Sequence, residues 1–202
     1  MAELLERWLE AVLATPGMTG LADHGDARRV LVDDALRARG LVERTPGRVV
    51  DVGSGGGSPG IPLAIALPHR TFTLLESQRR KCRFLEPFAE LLPNVEVVWG
   101  RAEEQAIDTY GVALAKALAR PPAAVELCLP LVAPGGVAIL WLGETADRDA
   151  VAFVAEQLGG RLEEDHEGLV VVRKLEPTPP GFPRRPGRAK KRPLVAEPRA
   201  GR

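Results

Sequence analysis

From Asp51 to Ala64 the chain reads DVGSGGGSPGIPLA: an apolar run ends beside an acid, four glycines follow within five residues, and an apolar helical pattern starts directly behind them. Glycine at such a place lets the backbone turn sharply and approach a ligand with no Cβ between them. The helix N-terminus behind the loop offers free N–H groups and a partial positive charge. Strand, glycine loop and helix in that order belong to a parallel α/β sheet, and the rest of the chain agrees. Arg48–Val52, Thr71–Leu75 and Val95–Trp99 are β-branched runs, Val112–Ala115 is a weaker fourth, and Val137–Leu142 is a fifth. The segments near 59–67, 78–92, 121–132 and 146–158 suit helices, so each strand pair has room for a right-handed crossover and the strands should be parallel. Gly168–Lys174 follows Arg161–His166 closely and predicts a closing antiparallel hairpin.

Upstream, Leu4, Leu5, Trp8, Leu9 and Val12 recur at helical spacing and predict an amphipathic helix over 3–14, ended by Thr15-Pro16-Gly17. Asp26 as N-cap and Gly40 as a stop frame a second helix. Three parts follow: a helical segment over 1–45, an α/β domain over 46–176, and a Pro/Gly/Arg-rich tail over 177–202. A chain of 202 residues can fill one such domain but not two.

A bare GxGxxG does not choose between ligands, and Ser58 stands where a dinucleotide enzyme prefers Gly or Ala. The acid in D-x-G-x-G-x-G decides more. A carboxylate at Asp51 would repel a pyrophosphate and would suit the ammonium of an amino acid, directly or through water, which points to S-adenosylmethionine rather than NAD. Glu76 ends the second strand, where an acid can accept both ribose hydroxyls; otherwise it is an exposed strand-end acid. Arg101-Ala102-Glu103-Glu104 follows the third strand, on the side where an adenine lies in this architecture.

The stretch DVGSGGGSPGIPLAIALP resembles the small-subunit (16S) ribosomal RNA guanine-N7 methyltransferase family, also called the glucose-inhibited-division protein B family. The resemblance continues through TFTLLESQRRKCRFLE, GRAEE and LAKALARPPAAVELCLPLVAPGG, and closes in PRRPGRAKKRPL. It implies a Rossmann-like class I methyltransferase fold, with a mostly parallel seven-stranded sheet, helices on both faces and a short helical N-terminal segment. It implies S-adenosylmethionine as methyl donor, a cytoplasmic site of action, and 7-methylguanosine in 16S rRNA as product, made on the RNA or the small ribosomal subunit. By position, Gly53, Ser54, Gly55 and Gly57 would hold the methionine part beside Asp51, Glu76 the ribose, and Ala102 and Glu103 the adenine. The sequence departs from the family in three places. Lys116 stands where the family has Arg, Gly17-Met18-Thr19 replaces an Asn-x-Thr segment, and Val30–Leu36 lacks a His before its Asp-Ser-Leu counterpart.

Guanine N7 carries a free lone pair, so methylation there needs no base, only proximity, orientation and desolvation. No catalytic residue is certain in the sequence. Lys116 and Arg120, after the fourth strand, are the candidate substrate or carboxylate contacts, against surface salt bridges. His24, His69 and His166 read as scattered, and Cys82 and Cys128 as inert thiols without metal-ligand spacing. No metal is expected, and a monomer is. The start lacks the basic and apolar regions of a signal peptide, and no apolar run approaches the roughly 20 residues of a membrane span.

The net charge of zero hides an asymmetry. Arg173–Arg202 carries ten Lys/Arg against two Asp/Glu, a net of +8 that the rest of the chain cancels. Arg184, Arg185, Arg188, Lys190, Lys191 and Arg192 read as an RNA-binding strip held extended by Pro183, Pro186 and Pro193. The alternatives are a solubilising tail or one folded back on the acidic body. Two other functions share the loop: a small-molecule methyltransferase, and a catalytically altered paralogue that binds S-adenosylmethionine or RNA.

Overall fold

A computed structural model describes residues 2–143, 146–163 and 168–195. The N-terminal part is helical: α1 (Ala2–Ala14), α2 (His24–Ala27), a π-helical stretch over Arg28–Asp33 that runs on into α3 (Asp34–Leu36), and α4 (Arg39–Arg44). The N-cap of α2 is Asp23 rather than Asp26. Its carboxylate accepts the Asp26 N–H at 2.8 Å, so the acid three residues earlier takes the orphan donor. Gly40 does not stop a helix either; it lies inside α4.

Strands and helices then alternate: β1 (Val49–Val52), α5 (Gly60–Ala66), β2 (Phe72–Glu76), α6 (Arg79–Ala89), β3 (Val95–Trp99), β4 (Tyr110–Lys116), α7 (Pro121–Cys128) and β5 (Val132–Trp141). After α8 (Arg148–Gln157) come β6 (Gly160–Leu162) and β7 (Val170–Lys174). The sheet has seven strands in the order β3-β2-β1-β4-β5-β7-β6. Strands β1 to β5 pair in parallel, and β7 runs antiparallel to both β5 and β6, as the expected closing hairpin does. His166, at the far end of that hairpin as read from sequence, lies outside the described residues.

Alternation along the strands sorts the core onto two faces. Val50, Val52, Ala113 and Ala115 point to the side covered by α7 and α8, packing with Val125, Leu129 and Val151. Val49, Phe72, Val112 and Leu114 point to the other side, against Leu63 and Leu67 near α5. A third cluster joins Trp8, Leu9 and Val12 of α1 to Ile61 of α5, Leu74 of β2 and Leu85 of α6. It fastens the N-terminal helix to the sheet layer beside the glycine loop. The strand order reverses between β1 and β4, and in open α/β sheets ligands bind at that switch point, outside the carboxyl ends of the strands.

The tail is not extended. Residues 188–191 form a short helix, α9 (Arg188–Lys191), with Ala189 buried in the core and Phe182 and Leu194 packed against it. The prolines flank the helix rather than interrupt it, and the few apolar residues suffice to fold the segment back onto the body. Residues 196–202, the end of the expected tail, lie outside the described residues.

Candidate active site

The glycine loop leaves β1 at the switch point and is held by its neighbours on both sides. Gly53 and Ser54 both donate their N–H to the Leu75 carbonyl of β2, at 2.8 and 3.1 Å. Gly53 has φ +74°, and a Cβ there would stand 2.5 Å from Leu118 Cδ1. Gly57 has φ +107°, and a Cβ would stand 2.9 Å from Trp8 Nε1. These two positions require glycine on both conformational and steric grounds. Trp8 is fully buried, and its indole N–H donates to the Gly56 carbonyl at 2.8 Å. Helix α1 is therefore bonded directly to the loop.

Two acids brace the loop from below. Glu76 Oε2 accepts the Gly55 N–H at 3.0 Å and Oε1 accepts the Gln78 N–H at 2.8 Å, so one carboxylate fixes the loop and the turn into α6. Asp51 is 1% exposed, and its Oδ2 accepts the Gly60 N–H at 3.1 Å. Burial pushes the Asp51 carboxyl up to about 7, only partly offset by the Gly60 bond. An opposite charge brought near such a carboxyl favours its ionised form.

Two cavities flank the loop. The larger, about 430 Å³, lies between Gly53–Gly56 and Ser58 on one side and Trp8, Met18–Leu21, Val30, Leu31 and Lys116 on the other. The smaller, about 50 Å³, lies past Gly53 toward Leu75, Ser77, Ala102, Glu103, Leu118, Gly187 and Lys190. The expected cofactor residues thus fall into two groups. Gly53, Ser54, Gly55 and Lys116 gather around the first cavity, and Ala102 and Glu103 around the second. Asp51 and Glu76 support the loop between them. Gly57 sits under Trp8, against Ile61.

Lys116 ends β4 and donates to the Val30 carbonyl and the Asp34 carboxylate, bridging the sheet to the N-terminal helices. Asp34 also bonds Arg37, and Trp141 Nε1 donates to the Asp34 carbonyl at 2.9 Å. The next residue, Ala117, has φ +53°. A β-carbon in that region costs energy that surrounding structure must supply, and such residues cluster at functional sites. Arg120 is exposed and takes the N-cap position of α7 without a side-chain cap bond; it is not among the residues that line either cavity. Arg184 pairs with both carboxylate oxygens of Glu126, a buried acid of α7. Of the six tail cations it is therefore taken up by the fold, while Arg185, Arg188, Lys190, Lys191 and Arg192 are exposed. Both cysteines are buried, and burial raises both thiols, which holds them protonated. Among the described residues no group of three or more His, Cys, Asp or Glu could hold a metal ion, and no helix is long and apolar enough to cross a membrane.

Sequence reasoning missed the N-terminal wall. Trp8 at helical spacing looks like any core residue, and its ring N–H leaves no pattern. The segments at 17–19 and 30–36, noted only as departures from a family pattern, stand at or beside the larger cavity.

Residues 2–161 match the family model for rRNA small subunit methyltransferase G. A ribosomal RNA small subunit methyltransferase G from Pelotomaculum thermopropionicum is 40% identical over 165 residues, covering 72% of this chain and 69% of that protein. Another from Synechococcus sp. is 34% identical over 206 residues, covering 89% and 79%. Among solved structures, a SAM-dependent O-methyltransferase from Thermotoga maritima superposes with a TM-score of 0.56 at 13% identity, covering 73% of this chain and 66% of that one. The T. thermophilus 16S rRNA N2 methyltransferase, solved with AdoMet and guanosine, gives 0.53 at 19% identity, covering 74% and 40%. At these identities the structural likeness shows the methyltransferase fold alone.

Proposed function

The chain belongs to the rRNA small subunit methyltransferase G family, and from that premise we propose how its two cavities serve methyl transfer to N7 of a guanine in 16S rRNA. S-adenosylmethionine supplies a methyl group on a positively charged sulfur. The carrying observation is the pair of cavities on either side of Gly53, with the buried carboxyl of Asp51, bonded to the Gly60 N–H, at the base of the loop. The methionine end fits the larger cavity, where Gly53–Gly55 leave the backbone bare and Asp51 stands behind the loop for the ammonium. The adenosyl end fits the smaller one, with Ala102 and Glu103 at the adenine and Glu76 at the ribose. Glu76 already accepts two N–H donors and the Ser77 hydroxyl, and Oε2, which takes only the Gly55 N–H, keeps a second lone pair for a hydroxyl.

The rest of the larger cavity is left for the base. Trp8, Met18, Val30 and Leu31 make much of its wall apolar, which excludes water from the line between donor and acceptor. Lys116, fixed by Asp34 and Val30, places a cation at its mouth for the cofactor carboxylate or an RNA phosphate. N7 needs no deprotonation, so these residues act by orientation and desolvation. Arg185, Arg188, Lys190, Lys191 and Arg192 present positive charge to the RNA backbone, which positions without reading sequence. The protein would act in the cytoplasm, on rRNA or the small subunit, with the N-terminal helical segment as a wall of the site. The test is mass spectrometry of 16S rRNA nucleosides from a strain lacking this chain. One 7-methylguanosine should vanish and return on complementation; an unchanged complement of modified nucleosides contradicts the proposal.

A further inference from the structure

The basic C-terminal segment does more than offer charge. It is built into the rim of the smaller cavity. Gly187, with φ +78°, aims its N–H at Glu103 Oε1, 2.7 Å away. Lys190, three residues on, lines the same cavity together with Gly53, Leu75 and Ala102. Two anchors hold the segment there. Arg184 pairs with buried Glu126 and also donates to the Arg192 carbonyl at 2.9 Å, which closes residues 184–192 into a compact loop. Ala189, 2% exposed, Phe182 and Leu194 sit on the core cluster that includes Ala102 and Leu127. The segment begins from a fixed point as well. Thr178 bonds the Asp108 carboxylate and receives a bond from Lys174, whose ammonium is fully buried.

We infer that residues 182–194 form a strap that completes the adenosyl side of the cofactor site, with Glu103 as a positioning residue that ties the strap to the adenine-side turn through Gly187. The inference rests on the reading of this cavity as the adenosyl site. Its physical basis is the sharing of one carboxylate. Glu103 lies on the 3₁₀ turn Ala102–Glu104, and its Oε1 is engaged by the strap, so the turn and the strap move together. A ligand that orders one must order the other. A free tail, by contrast, would leave the cofactor indifferent to every residue after 182. Gly187 carries the arrangement because a left-handed φ is what directs its N–H inward, and an L side chain rarely adopts it.

The test is calorimetric titration of S-adenosylmethionine and S-adenosylhomocysteine into the full chain, Glu103→Ala and Arg184→Ala, well below the thermal midpoint of each. Loss of a charge-assisted bond predicts roughly 10-fold weaker cofactor binding in both variants, with partial recovery in Arg184→Lys. In methyl transfer by Arg184→Ala, a residue outside the cofactor contacts, the KM for the cofactor should rise by the same factor while kcat stays within about twofold. If Arg184→Ala fails to fold, hydrogen exchange on the unmodified chain supplies the answer, because cofactor should slow exchange at residues 187–191. Full affinity in folded Glu103→Ala, or unchanged exchange at the strap while cofactor is bound, overturns the inference. Failure of the unmodified chain to bind either compound overturns instead the reading of the cavity on which it rests.

Discussion

Asp51→Asn separates the cost of the site from its use. Asp51 titrates at 3.8 when free and is pushed up to about 7 in the fold, chiefly by burial. The gap is about three units at 1.36 kcal/mol each, so ionising Asp51 in the folded chain costs roughly 4 kcal/mol relative to the unfolded one. The sign follows from proton binding. The folded state holds this proton more tightly, so the cost is absent below about pH 4, grows as pH rises, and is complete above about 7. Asparagine keeps an oxygen for the Gly60 N–H and never ionises. Urea denaturation should therefore find the variant close to wild type at pH 4 and more stable at pH 8 by up to about 4 kcal/mol. The cofactor reverses the preference. A cation beside Asp51 favours the ionised form, so wild-type affinity for S-adenosylmethionine should rise with pH up to about 7, by as much as tenfold per unit. Binding to the variant should be weak and flat with pH. A stability difference that does not change between pH 4 and 8 would refute the argument that burial dominates at this carboxyl.

Other substitutions probe the remaining walls. Lys116→Ala should lose most single-turnover methyl transfer while Lys116→Arg retains it, since arginine can keep the bridge to Asp34 and Val30; equal rates for Lys116→Ala and wild type would make the residue a structural tie only. Gly53→Ala should lower stability by about 1–3 kcal/mol and weaken cofactor binding, because φ +74° and the Leu118 methyl both oppose a Cβ. Leu118→Ala in the same chain should relieve only the steric part, a difference thermal melts can resolve. If about four exposed tail cations meet phosphates, log RNA affinity should fall against log salt with a slope near −3. Replacing Arg185, Arg188 and Lys191 by Gln should then flatten it by about two units, and an unchanged slope would remove them from the RNA interface.

Much of the architecture was legible because it rests on local signals. Short β-branched runs separated by helix-length segments and a glycine loop predict a parallel sheet, and β3 runs over Val95–Trp99 as read. The loop could be located because glycine is strongly favoured at Gly53 and Gly57, whose φ of +74° and +107° L side chains rarely adopt. What could not be read depends on contacts distant in sequence. Nothing in the Trp8 pattern announces that its ring N–H reaches Gly56, 48 positions on. The tail read as extended because its prolines and charges dominate the composition. Its folding back depends on Glu126, which looks like an ordinary helix acid until Arg184 meets it in the core. Lys116 was found as a charge after β4, but its partner Asp34 lies in a segment that carries no catalytic pattern.

The central claim is methyl transfer to guanine N7, and the most direct measurement is a single turnover with methyl-labelled S-adenosylmethionine on 16S rRNA or the small subunit, followed by nuclease digestion and identification of the labelled nucleoside. The account predicts one labelled guanosine per RNA, methylated at N7, without added metal. Label on an exocyclic amine, a ring carbon or a ribose hydroxyl, or no transfer from a protein that binds the cofactor, would contradict it.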